Sequence, residues 1–233
     1  NANRPHVFMM AENRLDLQTK NRLENCHGFC VEELGDRERI WGAVRSTVPY
    51  KRRKDLEING IAALWLEFGT GASRYFVVGV YREYTRLGGG RFARSTNQQK
   101  VRWNRLLSHI NKVIHDTGTE THVLGDLNIN TLRWKQLGYR ASWDKQWAVD
   151  MLYEHLINGA GMVLTEPAGY TWTSRDGSKS SCLDLHLTNK PAHVGKVTVT
   201  NDFTGDHCTL VVERIDKNMQ AATKVTKRRW GEV

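Results

Sequence analysis

Apolar runs of strand length, separated by polar turns, predict a chain rich in β-strands. Two such runs cover residues 61–68 and 74–81, and the segment 69–73 between them (Gly-Thr-Gly-Ala-Ser) is typical of a hairpin turn. Other runs predict further strands at 5–10, 121–124, 170–173, 182–187, 196–200 and 208–215.

Helical periodicity is confined to two stretches. From 97 to 116 the apolar residues recur every three or four positions, and Gly118 is a plausible stop. Ser142 is a plausible N-cap for a second amphipathic helix that runs through Ile157 and ends at 159–161. Many strands with two interspersed helices predict an α+β sandwich, in which helices pack outside facing sheets.

The size and charge of the chain limit the range of functions that it could have. Its 233 residues fit one large domain, which we place at 1–216, followed by a basic tail or linker at 217–233. The net charge is +9, with basic clusters at 51–54, 86–94 and 224–229. Such an excess attracts polyanions, of which nucleic acid is the commonest, although any single cluster is more often a solvated face. No apolar run approaches the roughly 18 residues needed to span a bilayer, so no membrane partner is expected.

The cysteines predict a reduced, intracellular protein. Cys26, Cys30, Cys182 and Cys208 show no framework spacing and no C-x-x-C pair. Cys26-His27-x-x-Cys30 has no second pair of ligands elsewhere, which argues against a zinc site.

Acids at strand tips indicate hydrolytic chemistry. The run 121–124 ends in Gly125-Asp126-x-Asn128, which places an acid and an amide together, and Asp184 and Asp206 occupy similar positions. Mg²⁺ binds through a few hard carboxylate oxygens, and Glu12 and Asp206 are the candidate ligands. Asp126 could take a proton from an attacking water.

Asn128, Asp184 and His207 complete this set. Asn128, two residues after Asp126 on an extended backbone, would face the same way and orient the water or donate to a phosphate oxygen. A protonated His207 could stabilise negative charge on the phosphate, and the Asp184 carboxylate would favour that form. Taken together, these residues predict metal-assisted phosphodiester hydrolysis.

The order of these motifs resembles the endonuclease/exonuclease/phosphatase superfamily, and most of all the apurinic-type endonuclease domain of non-LTR retrotransposons. The ordered set is Glu12, Tyr81, Gly125-Asp126-x-Asn128, Thr171, Leu183-Asp184 and Asp206-His207. This resemblance implies a four-layered α/β/β/α sandwich that nicks DNA at a Mg²⁺ site, with Mn²⁺ as a substitute. It also implies an intracellular, nuclear location and a reverse transcriptase domain following the basic C-terminus.

By motif position, the resemblance assigns a role to each residue. It makes Glu12 and Asp206 metal ligands and Asp126 the water activator. Asn128 and Tyr81 would bind the phosphate, and Thr171 would lie near the site and contact DNA. His207 would act on the scissile phosphate and pair with Asp184.

Two departures from the family pattern predict reduced activity. The chain starts just before what corresponds to the family's second strand, so a first strand, its helix and a metal-site Asn are expected to be missing. Gly205 also replaces the usual Ser before Asp206-His207. Two alternatives therefore stay open beside the endonuclease: a phosphatase acting on lipid or inositol phosphates, and a nuclease fold that binds nucleic acid without cutting it.

Overall fold

A computed structural model describes residues 6–11, 16–34, 40–82, 96–130, 146–165, 167, 169–174, 176–200 and 207–215. The predicted metal ligands Glu12 and Asp206 lie outside these residues, as do Gly205, the N-cap Ser142, the basic cluster 86–94 and the tail 217–233.

A six-stranded sheet forms the centre of the structure, in the order β4-β5-β6-β7-β11-β8. Its strands are β4 (Tyr50–Arg52), β5 (Ala63–Phe68), β6 (Tyr75–Tyr81), β7 (Glu120–Asp126), β8 (Val163–Thr165) and β11 (Asp184–Thr188). The predicted hairpin is confirmed, because β5 and β6 pair antiparallel. Strands β6 and β7 pair parallel and all other neighbours antiparallel, so the sheet is mixed.

Helices cover one face of this sheet. The predicted helix at 97–116 is confirmed as α2 (Thr96–Thr117), and the second predicted helix is α3 (Gln146–Leu152), which continues as a π-helical turn over Tyr153–Gly159. Their apolar sides pack with the sheet in the largest core, which centres on Trp65, Phe76 and Ile110. Within the described part of the chain, every helix is too short or too polar to span a bilayer.

A smaller sheet packs on the opposite face, in the order β1-β3-β2. Its strands are β1 (Val7–Ala11), β2 (Phe29–Glu33) and β3 (Ile40–Arg45). The sheets approach closely where the Met9 sulfur lies 3.0 Å from the ideal Cβ positions of both Gly42 and Gly79. Of these strands, β1 agrees with the strand predicted at 5–10, whereas no strand is predicted at β2 or β3.

A third helix, α1 (Leu17–Asn25), lies on the outer side of the small sheet, where Leu23 joins a core with Phe29 and Trp41. Asp16 caps it by accepting from the backbone N–H of Thr19 at 2.8 Å. The layers of the described structure are therefore stacked in the order helices, central sheet, small sheet and helix α1. This order agrees with the predicted α/β/β/α sandwich, and the mixed α and β fold class is confirmed.

Two small hairpins complete the described structure. Strands β9 (Trp172–Thr173) and β10 (Ser180–Ser181) form one, and β12 (Val194–Thr200) and β13 (Thr209–Arg214) form the other. A single bridge between Trp172 and His207 links them. The second hairpin thereby places His207 next to the first.

Candidate functional site

Three of the predicted site residues meet at one end of the central sheet. Asp126 is paired with Tyr81 across the parallel β6–β7 ladder and with Asp184 across the antiparallel β7–β11 ladder. Directly paired residues point to the same face of a sheet. The three side chains therefore form a row on the face that packs against the small sheet.

Gly125 makes the close approach behind Asp126 possible. Its φ is +144°, and a Cβ at this position would lie 1.9 Å from the carbonyl oxygen of Val80 on the neighbouring strand. A side chain therefore cannot be accommodated without moving the backbone. The glycine of the Gly-Asp-x-Asn motif is thus required for packing, because it lets β7 lie close to β6.

Asp126 and Asn128 form a compact turn at the end of β7. The backbone N–H of Asn128 donates to Oδ1 of Asp126 at 2.8 Å, and its side-chain Nδ2 donates to Oδ2 at 3.1 Å. Asp126 is only 2% exposed. Both carboxylate oxygens are therefore held by donors from one residue, which fixes the orientation of the acid.

The expected extended backbone at Asn128 is wrong. The strand ends at Asp126, and Asn128 adopts a left-handed conformation with φ of 51°. Asn tolerates this region better than most residues because its short polar side chain can bond locally. The Asn128 amide therefore turns back to Asp126 instead of pointing alongside it.

Asp184 and His207 form the pair predicted from the sequence. Oδ2 of Asp184 lies 2.9 Å from Nδ1 of His207, and the two side chains are 19% and 32% exposed. The strand β11 begins at Asp184, while His207 stands just before β13. A carboxylate bonded to Nδ1 fixes the ring orientation and directs Nε2 away from the pair.

Thr171 lies beneath this pair. Its side chain is 0% exposed, and its hydroxyl oxygen accepts from the backbone N–H groups of Leu183 at 2.9 Å and Asp184 at 3.0 Å. Its carbonyl accepts from the N–H of Cys208, beside His207, at 2.7 Å. Thr171 is thus connected to the backbone on both sides of the Asp184–His207 pair, and its contact with DNA stays a prediction.

The chemistry of the described residues is compatible with a divalent cation, although they include no group of three His, Cys, Asp or Glu that could hold one. Asp126 and Asp184 supply hard carboxylate oxygens on directly opposed positions, which suits Mg²⁺. Asp206 directly precedes His207 in the sequence and so belongs to the same part of the chain.

The basic cluster at 51–54 is partly neutralised by acids. Arg52 bonds to Glu57 at 2.8 Å and to Glu32 at 3.2 Å, and Arg53 bonds to Asp55 and Glu67. Both guanidinium groups are largely buried in these contacts. They therefore serve the packing of strand β4, in line with the view that a single cluster carries little signal for nucleic acid.

A series of hydrogen-bonded, buried polar side chains lies at the other end of β7, and none of the sequence predictions includes it. Glu120 accepts from Arg214 at 2.8 Å, His193 at 2.7 Å and His122 at 2.8 Å. Burial opposes ionisation of Glu120, but these hydrogen bonds outweigh it and hold the pKa of the carboxyl well below its usual range. The alternation Glu-x-His within a buried strand was the available sequence signal.

This series continues into β11 and β8. His122 Nδ1 lies 2.9 Å from His186 Nε2, and His186 Nδ1 lies 2.6 Å from the Thr165 hydroxyl. Burial and the neighbouring His122 lower the pKa of His186 to about 3. With a neutral His186, each ring can donate from Nε2 and accept at Nδ1, so the bonds run in one direction from Thr165 to Glu120.

Comparisons with solved structures identify the fold. The chain is similar to the endonuclease domain of TRAS1, a telomere-specific non-LTR retrotransposon, with 15% identity, a TM-score of 0.63, and coverage of 90% of this chain and 85% of that one. It is also similar to the AP endonuclease LMAP from Leishmania major, with 13% identity, a TM-score of 0.66, and coverage of 91% and 79%.

A third similar structure is TDP2 of D. rerio complexed with a single-strand DNA product, with 11% identity, a TM-score of 0.52, and coverage of 88% and 83%. No protein-family model matches the sequence, and no curated protein does. At these identities the likeness concerns the fold alone. The chain therefore has the endonuclease/exonuclease/phosphatase-type fold that the order of its motifs predicts.

Proposed function

We propose that this chain is a Mg²⁺-dependent endonuclease domain that hydrolyses a phosphodiester bond of DNA and leaves a nick. The observation that carries the proposal is the meeting of Asp126 with the Asp184–His207 pair at one end of the central sheet. A general base and a histidine oriented by a carboxylate are the groups that hydrolysis of a phosphodiester requires from the protein.

Each residue then has a task. Asp126, held by Asn128, takes a proton from the attacking water. The Tyr81 hydroxyl binds an oxygen of the phosphate. The two Nδ2 hydrogens of Asn128 are engaged by Asp126 and the Arg82 carbonyl, so the task of Asn128 is to keep the acid oriented. His207, kept in place by Asp184, offsets the negative charge that develops on the phosphate in the transition state. Because Thr171 is fully buried, its task in this proposal is to hold the backbone of Asp184.

Glu12 and Asp206 would hold the Mg²⁺ ion, and Mn²⁺ would substitute for it. When bound, the ion supplies Lewis-acid stabilisation of the phosphate oxygens.

The net charge of +9 supports DNA as the substrate, since phosphates attract a basic surface. The likeness to the TRAS1 endonuclease domain supports a role in a retrotransposon-like protein, with a reverse transcriptase domain as the expected partner. The TDP2 structure holds a DNA product, which shows that a domain of this fold can accept DNA.

The test is nicking of supercoiled plasmid in the presence of Mg²⁺, with Asp126→Asn as the inactivating variant and Asp150→Asn as its control. Asp150 is an exposed acid on α3 whose Oδ1 accepts from Nε2 of Gln146, one turn earlier, at 2.7 Å. We expect EDTA and Asp126→Asn to abolish nicking, and Asp150→Asn to leave it unchanged.

Other outcomes would contradict the proposal. Folded protein that retards DNA in a gel-shift assay without nicking it would favour the alternative of a nuclease fold that binds nucleic acid without cutting it. Release of phosphate from lipid or inositol phosphates, with DNA left intact, would favour the phosphatase alternative. Nicking that survives Asp126→Asn would remove Asp126 from the mechanism.

A further inference from the structure

Arg82 follows directly after β6 and reaches across to the turn at the end of β7. Its side chain is only 7% exposed. Its Nε donates to the carbonyl oxygen of Leu127, and its Nη2 donates to that of Asn128. One planar guanidinium group therefore binds the two consecutive carbonyls that follow Asp126.

The backbone of Arg82 bonds to the same turn. Its N–H donates to the carbonyl oxygen of Asp126 at 2.9 Å, and its own carbonyl accepts from Nδ2 of Asn128 at 2.7 Å. Four hydrogen bonds thus join Arg82 to the three residues 126–128. The Asn128 amide that reaches Asp126 is the one that Arg82 holds.

From these contacts we infer that Arg82 is a positioning residue, which holds Asp126 and Asn128 in the orientation that catalysis needs. This inference deepens the proposed function and rests on it. Asn128 is in a left-handed conformation, which costs free energy and persists only where surrounding contacts enforce it. The guanidinium group of Arg82 makes these contacts, and it does so from outside the turn.

Two tryptophan rings contact the guanidinium group of Arg82. The guanidinium carbon lies 5.9 Å from the ring centroid of Trp103 on α2 and 5.9 Å from that of Trp147 on α3. Cations over indole rings are stabilised by the ring quadrupole, which offsets part of the cost of burying the charge. Arg82 thereby connects the turn to both helices on the outer face of the sheet.

Lysine cannot replace this group. An ammonium is a compact point charge that lacks the fixed fork of a guanidinium, so it cannot bind two adjacent carbonyls in one plane or stack in the same way. Arg82→Lys therefore keeps the positive charge but removes the planar group that donates to both carbonyl oxygens. The matched control is Arg74→Lys at the opposite end of β6, where Arg74 bonds to Thr119 at 2.9 Å and lies 5.8 Å from the Phe76 ring centroid.

The first readout is steady-state nicking of DNA with Mg²⁺. We expect Arg82→Lys to lower kcat by roughly 10–100-fold and to change KM by less than about threefold, as for groups that orient a catalytic shell. Arg74→Lys should keep both constants. Guanidinium added to Arg82→Ala should restore part of kcat, because the missing donors return without a change of charge elsewhere.

The second readout does not depend on activity. The backbone amide of Asn128 donates to Asp126, so its hydrogen exchange, followed by NMR, reports on the turn directly. We expect this exchange to be about tenfold faster in Arg82→Lys than in the unchanged protein, and unaltered in Arg74→Lys. If Arg82→Lys does not fold, Arg82→Gln, which removes the buried charge, takes its place.

The outcomes separate the two proposals. If the unchanged protein nicks DNA and Arg82→Lys nicks it equally well, the inference is overturned while the proposed function stands. If the folded protein does not nick, the proposed function fails, and the exchange rate alone decides whether Arg82 holds the turn. An unchanged exchange rate in the Arg82 variant overturns the inference in either case.

Discussion

Nδ1 of His207 lies 2.9 Å from Oδ2 of Asp184, and this contact joins the C-terminal hairpin to the central sheet. In the proposed mechanism the carboxylate keeps the imidazole oriented towards the phosphate. Asp184→Asn keeps the size of the side chain and removes its charge. We expect nicking to fall by up to about 10⁴-fold, the loss typical when the carboxylate that orients a catalytic histidine becomes an amide.

The control for this variant is Asp176→Asn. Asp176 is an exposed turn residue that bonds to Ser174 at 2.6 Å and Ser178 at 2.8 Å, so the same substitution there should leave nicking unchanged. Equal activities of the two variants would show that the Asp184–His207 pair is structural.

Thr171→Val should destabilise the protein, because the backbone N–H groups of Leu183 and Asp184 would lose their acceptor in a buried position. We expect the free energy of unfolding to fall by about 1–3 kcal/mol. Urea denaturation measures this. The matched variant Thr173→Val removes an exposed hydroxyl that lies 3.2 Å from Ser180 and should cost much less. A cost no greater than that of the control would contradict the role given to Thr171.

Gly125→Ala should be severely destabilising, since the new Cβ would lie 1.9 Å from the carbonyl oxygen of Val80. Overpacking and backbone strain together predict a loss of roughly 2–4 kcal/mol. Gly71→Ala is the control, because its φ of +55° is also positive but nothing lies within 4 Å of the added Cβ. The loss of stability of the two variants is measured by thermal unfolding. Similar losses would mean that the close approach of β6 and β7 is unimportant.

His186 should make stability depend on pH. Its pKa is lowered to about 3, so between pH 3 and the usual histidine value of 6.5 the unfolded chain binds a proton that the folded protein excludes. The free energy of unfolding therefore falls as the pH drops through this window, by up to about 1.4 kcal/mol per pH unit.

The measurement is urea denaturation of the protein at several pH values from 7 to 5, alongside His186→Gln. The variant should show a shallower dependence on pH. His155→Gln, at a half-exposed position bonded to Asn104 at 2.8 Å, should keep the original slope. A slope unchanged by His186→Gln would place the titrating group elsewhere.

Much of the central sheet could be predicted from local pattern. The hairpin of β5 and β6, the helix α2 and the strand before Gly-Asp-x-Asn all have strong periodicity or a clear turn signal. Helix α1 and strands β2 and β4 could not, because they have few buried residues. Their positions depend on packing against the rest of the fold. Strand β3 is different, since five of its six residues are buried and its run Ile-Trp-Gly-Ala-Val is a local signal that the predicted strands do not include.

By itself, the sequence determined the fold class and the residue types of the site, because motifs such as Gly125-Asp126-x-Asn128 are local and their order along the chain is distinctive. Only the tertiary structure decided which residues meet. The parallel pairing of β6 with β7 sets Tyr81 beside Asp126, the left-handed Asn128 turns its amide onto the acid, and Arg82 and His186 acquire partners far away in the chain. The relations of Tyr81, Arg82 and His186 arise from long-range pairing and burial, which local propensity does not encode. The turn at Asn128 is local, but Arg82 holds it from the end of another strand.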